Sequence, residues 1–328
     1  MHTRKVQHAT IAVSSESRIK EEEEDDVNLG PLVPFSTDKS MEPYQVIDLF
    51  NVCFRDILHS PDLQVGIQSV KTALYHRDYL AAFDDENKRF TYAARWTPSR
   101  SLAYAALFSS LNPISTLLDN QDLAVNVLCI GGGASSELVG LGSVFCRLKE
   151  YKPTSPSKIR ISIVDIADWN EVVSNVASYI KRNWLFQEEK LVTQFTHADI
   201  LSVDLNTLEI GKMDLVTLMF TTNELFSEKR KDTIKLFSNL SKQCKPGSLL
   251  LIAESAGSFS HITIGEKKFP VQFLIDTILV GKMNENNGSW ELISQNDGIW
   301  YRVNEKEVNY SIKLENMRFF YRLYRRKQ

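Results

Sequence analysis

The stretch Val127–Leu138, VLCIGGGASSEL, decides the fold of this 328-residue chain. A short apolar run that ends at Ile130 meets three consecutive glycines, and apolar residues then recur at roughly helical spacing. This pattern predicts a buried strand, a tight turn and a helix that begins just after the turn. Glycines accept positive φ and let a ligand approach the bare backbone, and the helix start adds exposed N–H groups. The triple glycine alone fits a nucleotide-like cofactor and a plain strand–helix turn about equally well.

The residues after the glycines narrow the choice of cofactor. A phosphate-binding P-loop needs Lys followed by Ser or Thr, which Ala134–Glu137 does not provide, and a dinucleotide-binding turn needs Gly or Ala where Ser136 stands. Glu137 is a poor neighbour for a pyrophosphate but suits the cationic sulfonium and amino groups of S-adenosylmethionine. The charge therefore favours S-adenosylmethionine over NAD or ATP, although a carboxylate that complements the helix dipole is an equally good interpretation.

Composition and charge limit the class of protein. With 43% hydrophobic residues, the chain can bury one large core, with or without an appendage. Residues 1–40 carry five basic and eight acidic side chains, which predicts a mostly disordered acidic tail. The four cysteines show no CxxC spacing, so we expect reduced intracellular thiols and no metal site. No apolar run reaches membrane-spanning length, so we expect a soluble protein with no membrane partner.

Residues 41–120 are predicted to form a helical N-terminal cap. Apolar stripes predict a helix from Tyr44, a second over Val65–Phe83 and a third from Pro98 to Leu111. A basic-aromatic cluster lies just before the glycine strand and contains Arg95, Trp96, Arg100 and Tyr104. These side chains either attach the cap to the core, or form a wall of the cofactor pocket or contact nucleic acid by stacking and phosphate pairing.

Acidic residues follow the second and third predicted strands. Asp165 ends a strand that starts at Ile159, and Asp199 with Ile200 follows a strand over Val192–Phe195. In alternating α/β folds, an acidic residue after the second strand holds ribose hydroxyls, so we favour this role for Asp165 over that of an ordinary loop residue. Asp199 and Ile200 suit an adenine amino group with an apolar cover.

The remaining strands complete an α/β fold. Leu215–Phe220 is apolar on both faces, like a central parallel strand, and ends at the polar cluster Thr221–Glu224, which opens a helix. A fifth strand follows at Ser248–Ala253. No long helix separates the last two strands, Trp290–Ile293 and Met317–Tyr324. We therefore predict a Rossmann-like, seven-stranded, mostly parallel sheet with an antiparallel terminal hairpin.

Six motifs in this order carry a resemblance to a known family. They are RWTPSR at 95–100, CIGGGASSELVGL at 129–141, VDIADW at 164–169, FTTNELF at 220–226, ESAGSFS at 254–260 and KLENMRFFYRL at 313–323. Over residues 90–328 the chain resembles class I S-adenosylmethionine-dependent methyltransferases, and more narrowly a fungal family that methylates uridine N3 of large-subunit (25S) ribosomal RNA. The resemblance implies a methyltransferase domain at 121–328, S-adenosylmethionine as cofactor, no metal, and ribosomal RNA or a pre-ribosomal particle as partner. It also implies a monomer located in the nucleus, nucleolus or cytoplasm.

The resemblance further assigns roles to single residues. Those implied to hold the cofactor are Gly131, Gly132, Gly133, Glu137, Asp165, Asp199, Ile200, Arg100 and Tyr104. Those implied to bind the substrate are Arg95, Trp96, Ser255, Ser258 and Arg318. The predicted catalytic residues are Thr222, Asn223 and Glu224. Glu224 would accept the N3 proton, and the other two would stabilise charge on O2 or O4.

Other chemistries and functions remain as alternatives. Carbon-5 methylation needs a cysteine near the site, but Cys129 lies inside the first strand and Cys244 precedes the turn before the fifth. A methyltransferase acting on a protein or small molecule and a non-catalytic S-adenosylmethionine-binding module stay open, and a dehydrogenase comes last. The basic C-terminal segment is either an RNA-binding surface or an edge strand kept soluble by charge, and it contains Arg318, Arg322, Arg325, Arg326 and Lys327.

Overall fold

The fold is built on one sheet of eight strands. The computed structural model describes residues 30–120, 124–150, 152, 154–185, 187–257, 261–264, 267–282, 285 and 287–328. Its strands are β1 (Leu32–Val33), β2 (Val125–Ile130), β3 (Ile159–Asp165), β4 (Leu191–His197), β5 (Leu215–Met219), β6 (Leu249–Ser255), β7 (His261–Ile264), β8 (Lys267–Pro270), β9 (Trp290–Tyr301) and β10 (Met317–Arg326). The order in the large sheet is β1-β9-β10-β6-β5-β2-β3-β4, and β7 and β8 form a separate hairpin.

The sheet confirms the predicted fold class. Strands β2 to β6 pair in parallel, while β10 runs antiparallel to both β6 and β9. The predicted count of seven strands is wrong, because the two-residue strand β1 pairs in parallel with β9 and adds an eighth. A strand this short contains no hydrophobic period for a sequence pattern to detect.

Strand β1 also corrects the extent of the predicted tail. Val33 is buried, and the ring of Phe35 stacks on Tyr301 with 6.1 Å between centroids, so these two residues pack against the sheet. The prediction for residues 1–29 lies outside the described residues.

Helices cover both faces of the sheet, as the alternating units predict. They are α1 (Pro43–Cys53), α2 (Arg55–Leu58), α3 (Leu63–Tyr75), α4 (Tyr79–Phe83), α5 (Glu86–Ser110), α6 (Asn112–Leu118), α7 (Ser136–Glu150), α8 (Asn170–Tyr179), α9 (Thr222–Gln243) and α10 (Val271–Leu279). A π-helical turn, Ile180–Leu185, continues α8. The division into a cap at 41–120 and a catalytic domain at 121–328 stays a prediction.

Two predicted helices differ from those observed. The helix expected over 65–83 is broken between α3 and α4, where Arg77 has a φ of +57°. The helix expected to start at Pro98 starts twelve residues earlier, with the Asp85 side chain accepting a hydrogen bond from the Lys88 N–H at 2.8 Å. Pro98 has no N–H to offer the carbonyl of Ala94. The Tyr310 hydroxyl takes the place of the missing donor, because it donates a hydrogen bond to the Ala94 carbonyl at 2.5 Å.

Candidate functional site

A cavity of about 360 Å³ opens where the parallel strands end. Its lining includes Gly131 and Gly132 after β2, Asp165 at the end of β3, Asp199 after β4 and Phe220 after β5. Ligands in open α/β sheets bind outside the carboxyl ends of the strands, so this is the expected place for a cofactor. The predicted glycine turn and acidic residues therefore meet at one site.

The turn has room for glycine only. Gly131 has a φ of +74°, and a Cβ added there would lie 2.4 Å from Oγ1 of Thr221. A Cβ added at Gly133 would lie 2.0 Å from the Trp169 ring. A side chain at either position would therefore displace Thr221 or Trp169, which both line the cavity.

We expect Gly131→Ala to lower both the melting temperature and the affinity for S-adenosylmethionine, the latter by more than about tenfold. Left-handed backbone costs an L-residue about 1–2 kcal/mol, and here the clash with Thr221 adds to that cost. Gly247→Ala is the matched control, because Gly247 has a φ of +86° but no described atom within 4 Å of an added Cβ. Calorimetric titration of both variants separates the two effects. Equal cofactor affinity in both would contradict a role for the turn in binding.

Asp165 is tied to the glycine turn. Its Oδ2 accepts the N–H of Gly133 at 2.9 Å, and its Oδ1 accepts the N–H of Ala167 at 3.2 Å. Burial raises the pKa of this carboxyl, although both of these N–H donors favour its charged form. The carboxylate lines the cavity beside the turn, in the position that the sequence predicts for a ribose-binding group.

Glu137 is a buried carboxylate with an unused oxygen. The residue is only 3% exposed, lines the cavity, and its Oε1 has no hydrogen-bond partner among the described residues. Burial raises the pKa of Glu137 to about 8. An unpaired buried carboxylate is costly, so a cationic ligand that pairs with it gains from the contact.

We expect the affinity for S-adenosylmethionine to rise about tenfold between pH 6 and pH 7. Ligand-free Glu137 is protonated below about pH 8, whereas pairing with a cation requires the carboxylate, so binding releases a proton. Titrations of wild type and Glu137→Gln measure this, and the variant should bind more weakly with a flatter pH dependence. Glu150→Gln, at the exposed end of the same helix, is the control. A wild-type affinity that is constant across this range would contradict the pairing.

Asp199 and Ile200, which follow β4, also line the cavity. Both Asp199 oxygens are engaged, with Lys229 Nζ at 2.9 Å and the Leu201 N–H at 2.9 Å. Burial opposes ionisation of Asp199, but these two donors hold its pKa below the usual value. Ile200 is buried and supplies apolar surface beside this ion pair.

The charge of the cavity agrees with a cationic ligand. Two cationic side chains, Arg100 and Lys229, line it against five carboxylates, namely Glu137, Asp165, Asp199, Glu224 and Glu228. Burial raises the pKa of Glu137 and of Glu224 to about 8, and a cationic ligand favours the charged form of such carboxyls, whereas a pyrophosphate would disfavour it. The sequence favours a cationic cofactor on the basis of Glu137 alone, and the other carboxyl groups that line the cavity support the same conclusion.

Sequence reasoning missed the aromatic wall of the cavity. Tyr79, Leu80 and Phe83 from α4 line it together with Trp169. The rings of Phe83 and Trp169 lie 5.0 Å apart. Residues 76–78 interrupt the helical conformation between α3 and α4, and no sequence signal marks this interruption as functional.

Arg100 and Tyr104 line the cavity from α5. The Arg100 guanidinium lies 5.5 Å from the Tyr92 ring and 5.4 Å from the Phe220 ring, and it donates a hydrogen bond to the Tyr92 hydroxyl. Tyr104 in turn stacks on Phe220 with 6.3 Å between ring centroids. For Arg100 and Tyr104, the structure therefore favours the interpretation that the basic-aromatic cluster forms a wall of the pocket.

A second cavity of about 210 Å³ shares a wall with the first. Arg100 and Phe220 line both cavities. The second also contains four of the five predicted substrate-binding residues, which are Arg95, Trp96, Ser255 and Arg318. The fifth, Ser258, lies outside the described residues. Arg95 pairs with Glu315 and stacks on Trp96 at 5.4 Å, so the second cavity is basic and aromatic.

Of the predicted catalytic residues, only Glu224 borders a cavity. It lines the first one, and burial together with the nearby Glu254 carboxylate raises its pKa to about 8. Thr222 is fully buried, and neither it nor Asn223 lines either cavity. The Asn223 N–H donates to Glu254 Oε2 at 3.1 Å. The structure therefore brings neither Thr222 nor Asn223 to these cavities, and their catalytic roles stay predictions.

The sequence gives no sign that Phe220 belongs to the site, but this residue lines both cavities. It has a φ of +60°, which is strained for a residue with a side chain, at the point where β5 ends and both cavities meet. Its ring contacts Arg100 on one side and Phe319 on the other, at 6.2 Å between centroids. In the sequence it reads as the last apolar residue of a strand.

Cysteine chemistry is unsupported at this site. Cys129 is buried within β2 and does not line the cavity, and burial raises its pKa well above the usual value. Burial also raises the pKa of Cys244 to about 12. Within the described ranges, no group of three or more His, Cys, Asp or Glu side chains could hold a metal ion. No helix in the same ranges is long and apolar enough to cross a membrane.

The basic C-terminal segment is only partly available to a ligand. Arg322 is 4% exposed and forms ion pairs with Asp276 and Asp297, so of the two alternatives for this segment the RNA-binding surface does not include Arg322. Arg326 donates to the carbonyls of Ser241 and Ser289. Such contacts explain these two arginines as structural.

Comparisons with known proteins show the family of the chain. Residues 50–325 match a family described as "Putative SAM-dependent methyltransferase". A relative from Saccharomyces cerevisiae named 25S rRNA (uridine(2843)-N(3))-methyltransferase is 44% identical, over 91% of this chain and 90% of its own.

Solved methyltransferase structures are similar to parts of the chain. The N-methyltransferase NodS from Bradyrhizobium japonicum, in complex with S-adenosyl-l-homocysteine, is 16% identical with a TM-score of 0.38, and the match covers 80% of this chain and 99% of that one. The 1,6-didemethyltoxoflavin-N1-methyltransferase from Burkholderia thailandensis is 10% identical with a TM-score of 0.43, covering 79% and 89%. The family match and the yeast relative span most of the sequence, and the chain therefore belongs to this family of S-adenosylmethionine-dependent methyltransferases.

Proposed function

We propose that this enzyme methylates N3 of a uridine in large-subunit ribosomal RNA. The observation that carries the proposal is the pair of adjoining cavities, one acidic and one basic and aromatic, which meet at Arg100 and Phe220. The acidic cavity suits a cationic methyl donor, and the basic one suits a nucleotide with its base and phosphate. The near-full-length similarity to a uridine-N3 methyltransferase supports the choice of acceptor.

The cofactor-binding roles follow from the lining of the acidic cavity. We assign the amino group of the methionine moiety to Glu137, whose buried Oε1 has no partner among the described residues. We assign the ribose hydroxyls to Asp165 and the adenine to Asp199 and Ile200, because these residues follow one another across the ends of β3 and β4. Gly131 and Gly132 of the glycine turn line the same cavity and would border the donor.

The acceptor-binding roles follow from the second cavity. Trp96 offers an aromatic ring for the base, and Arg95 and Arg318 offer positive charge for phosphate oxygens. Ser255 lies at the end of β6 in the same cavity. A base held here reaches the methyl donor past Arg100 and Phe220, which border both cavities.

The chemistry needs alignment, a base and a positive charge. The bound cofactor supplies an electrophilic methyl group on a sulfonium, and transfer is a direct displacement that breaks the S–C bond and forms the N3–C bond. The Glu224 carboxylate takes the proton from N3–H. Because burial raises the pKa of Glu224, it lies closer to the pKa of this weakly acidic N3–H group. Arg100 replaces Thr222 and Asn223 as the group that stabilises negative charge on the uracil oxygens, because it faces both cavities.

Partner and location follow from the proposed substrate. Ribosomal RNA or a pre-ribosomal particle is the proposed partner. The enzyme would then act in the nucleus or nucleolus, or on ribosomes in the cytoplasm. We further propose that it acts as a monomer, because both cavities are formed by a single chain.

Transfer of labelled methyl groups to defined fractions tests the proposed function. Purified enzyme is incubated with radiolabelled S-adenosylmethionine and either ribosomal RNA or protein extract, both from cells that lack this chain. We expect label in large-subunit ribosomal RNA, released as N3-methyluridine on digestion. Label only in protein or small molecules would identify one of the alternative methyltransferases. Cofactor binding without transfer to any fraction would identify a non-catalytic module.

A further inference from the structure

Two arginines and a tryptophan stack next to the second, basic cavity, which we call the acceptor cavity. Arg318 lines that cavity and lies opposite Trp300 in the β9–β10 register, and its guanidinium is 5.8 Å from the Trp300 ring. Arg302, two residues further along, lies 4.9 Å from the same ring. We call these three residues the Arg–Trp strip. The strip begins at the acceptor cavity and ends in solvent at Arg302.

The charges of the strip are not neutralised. Arg318 and Arg302 are both exposed, and among the described residues neither forms an ion pair with a carboxylate. Neighbouring arginines behave differently, since Arg95 pairs with Glu315 and Arg322 with Asp276 and Asp297. Two cations against one ring repel each other, and an anion between or beside them relieves that repulsion.

The chemistry of the strip fits a single nucleic-acid strand. Arginine guanidinium groups bind phosphate oxygens, and tryptophan and arginine planes stack on unpaired bases. Arg302 follows the last residue of β9, and the guanidinium groups of Arg302 and Arg318 lie 4.9 Å and 5.8 Å from the Trp300 ring, so the three side chains present a continuous surface. The strip is continuous with the acceptor cavity through Arg318.

We propose that the Arg–Trp strip holds the RNA strand that flanks the acceptor uridine. Arg318 and Arg302 bind consecutive backbone phosphates, and a neighbouring base stacks against Trp300. This rests on the proposed RNA substrate and adds the path by which the strand leaves the acceptor cavity. Sequence patterns gave no role to Trp300 or Arg302.

Salt-dependent binding of RNA by the full chain tests the strip. The probe is a fluorescently labelled single-stranded oligoribonucleotide containing a central uridine, and anisotropy gives its affinity at several KCl concentrations. We expect Arg302→Gln to weaken binding and to reduce the slope of log affinity against log salt by about 0.7, the loss of one phosphate contact. Trp300→Leu should weaken binding roughly 5- to 100-fold with an unchanged slope, because stacking carries no charge.

Two controls distinguish the possible failures. Arg160→Gln removes an exposed arginine from β3, on the far side of the sheet, and should leave affinity and slope unchanged. S-adenosylmethionine affinity, measured by calorimetry, should stay at the wild-type value in every variant. Suppose that the wild type methylates ribosomal RNA, but Arg302→Gln and Trp300→Leu bind the probe with wild-type affinity. The RNA-binding role of the strip is then overturned, and the proposed function stands. If the wild type methylates no RNA and does not bind the probe, both proposals are overturned.

Discussion

Replacing Glu224 with glutamine is expected to lower kcat for methyl transfer by about 10²–10⁴-fold, with little change in the affinity for S-adenosylmethionine. Glutamine keeps the shape of the side chain but cannot accept the N3 proton, and general bases contribute rate factors of this size. Glu224 is the one predicted catalytic residue that lines a cavity in the described structure. Single-turnover methylation of ribosomal RNA, with cofactor affinity measured in parallel, gives both quantities.

The pH profile adds a second readout for the same residue. Because the pKa of Glu224 is raised to about 8 and the base acts as a carboxylate, wild-type kcat should rise with pH through the neutral range and level off. The rise should be absent in Glu224→Gln. Glu171→Gln, an exposed carboxylate in the first turn of α8, is the control and should behave like the wild type. A glutamine variant that keeps wild-type kcat and pH profile would remove the assignment.

The Asp165→Asn variant is expected to bind S-adenosylhomocysteine about 10²-fold more weakly than the wild type. An asparagine retains one acceptor for the Gly133 or Ala167 N–H but loses the charge, and charge-assisted hydrogen bonds contribute about 1.5–3 kcal/mol each. Calorimetric titration measures the loss. The same carboxylate also braces the glycine turn, so lost affinity alone does not separate direct contact from loop disorder.

A cofactor analogue that lacks both ribose hydroxyls makes the separation. If Asp165 binds the ribose, the analogue binds wild type weakly and loses little more in Asp165→Asn, so the two changes are strongly non-additive. If Asp165 acts only through the turn, the variant loses the same factor with both ligands. Asp199→Asn is the matched acidic control, because its carboxylate lines the cavity elsewhere and should show no coupling to the ribose hydroxyls.

The cofactor half of the site was predictable because its signals are local. The glycine turn directly follows β2, Glu137 lies in the first turn of the helix after the glycines, and Asp165 ends β3. Parallel strands deliver their carboxyl ends to one edge of the sheet. Strand order along the chain was therefore enough to bring these residues together. The structure places Asp165 2.9 Å from the turn, through the Gly133 N–H.

The catalytic cluster shows where such reasoning stops. Residues 221–224 read as one polar group, but they start α9, and successive helix residues point about 100° apart. Thr221 and Glu224, three apart, face the cavity, whereas Thr222 and Asn223 turn away from it. A prediction that also considers which way each helix residue points would have retained only Glu224 of the three catalytic candidates.

The acceptor half depends on long-range packing. Pro98 should end a helix, yet α5 continues through it because Tyr310, more than 200 residues away, bonds to the Ala94 carbonyl. This continuation puts Arg95, Trp96 and Arg100 on one rigid element beside the sheet. The positive φ of Phe220 and of Arg77 likewise has no signal in the sequence, because neither is a glycine.

Mapping of N3-methyluridine in large-subunit ribosomal RNA tests the account most directly. The RNA is taken from cells that lack this chain and from the same cells that carry either the wild-type chain or Glu224→Gln. We predict that one N3-methyluridine disappears without the chain, returns with the wild type and stays absent with the variant. An unchanged set of N3-methyluridines in cells without the chain would contradict the account, whatever else the enzyme methylates.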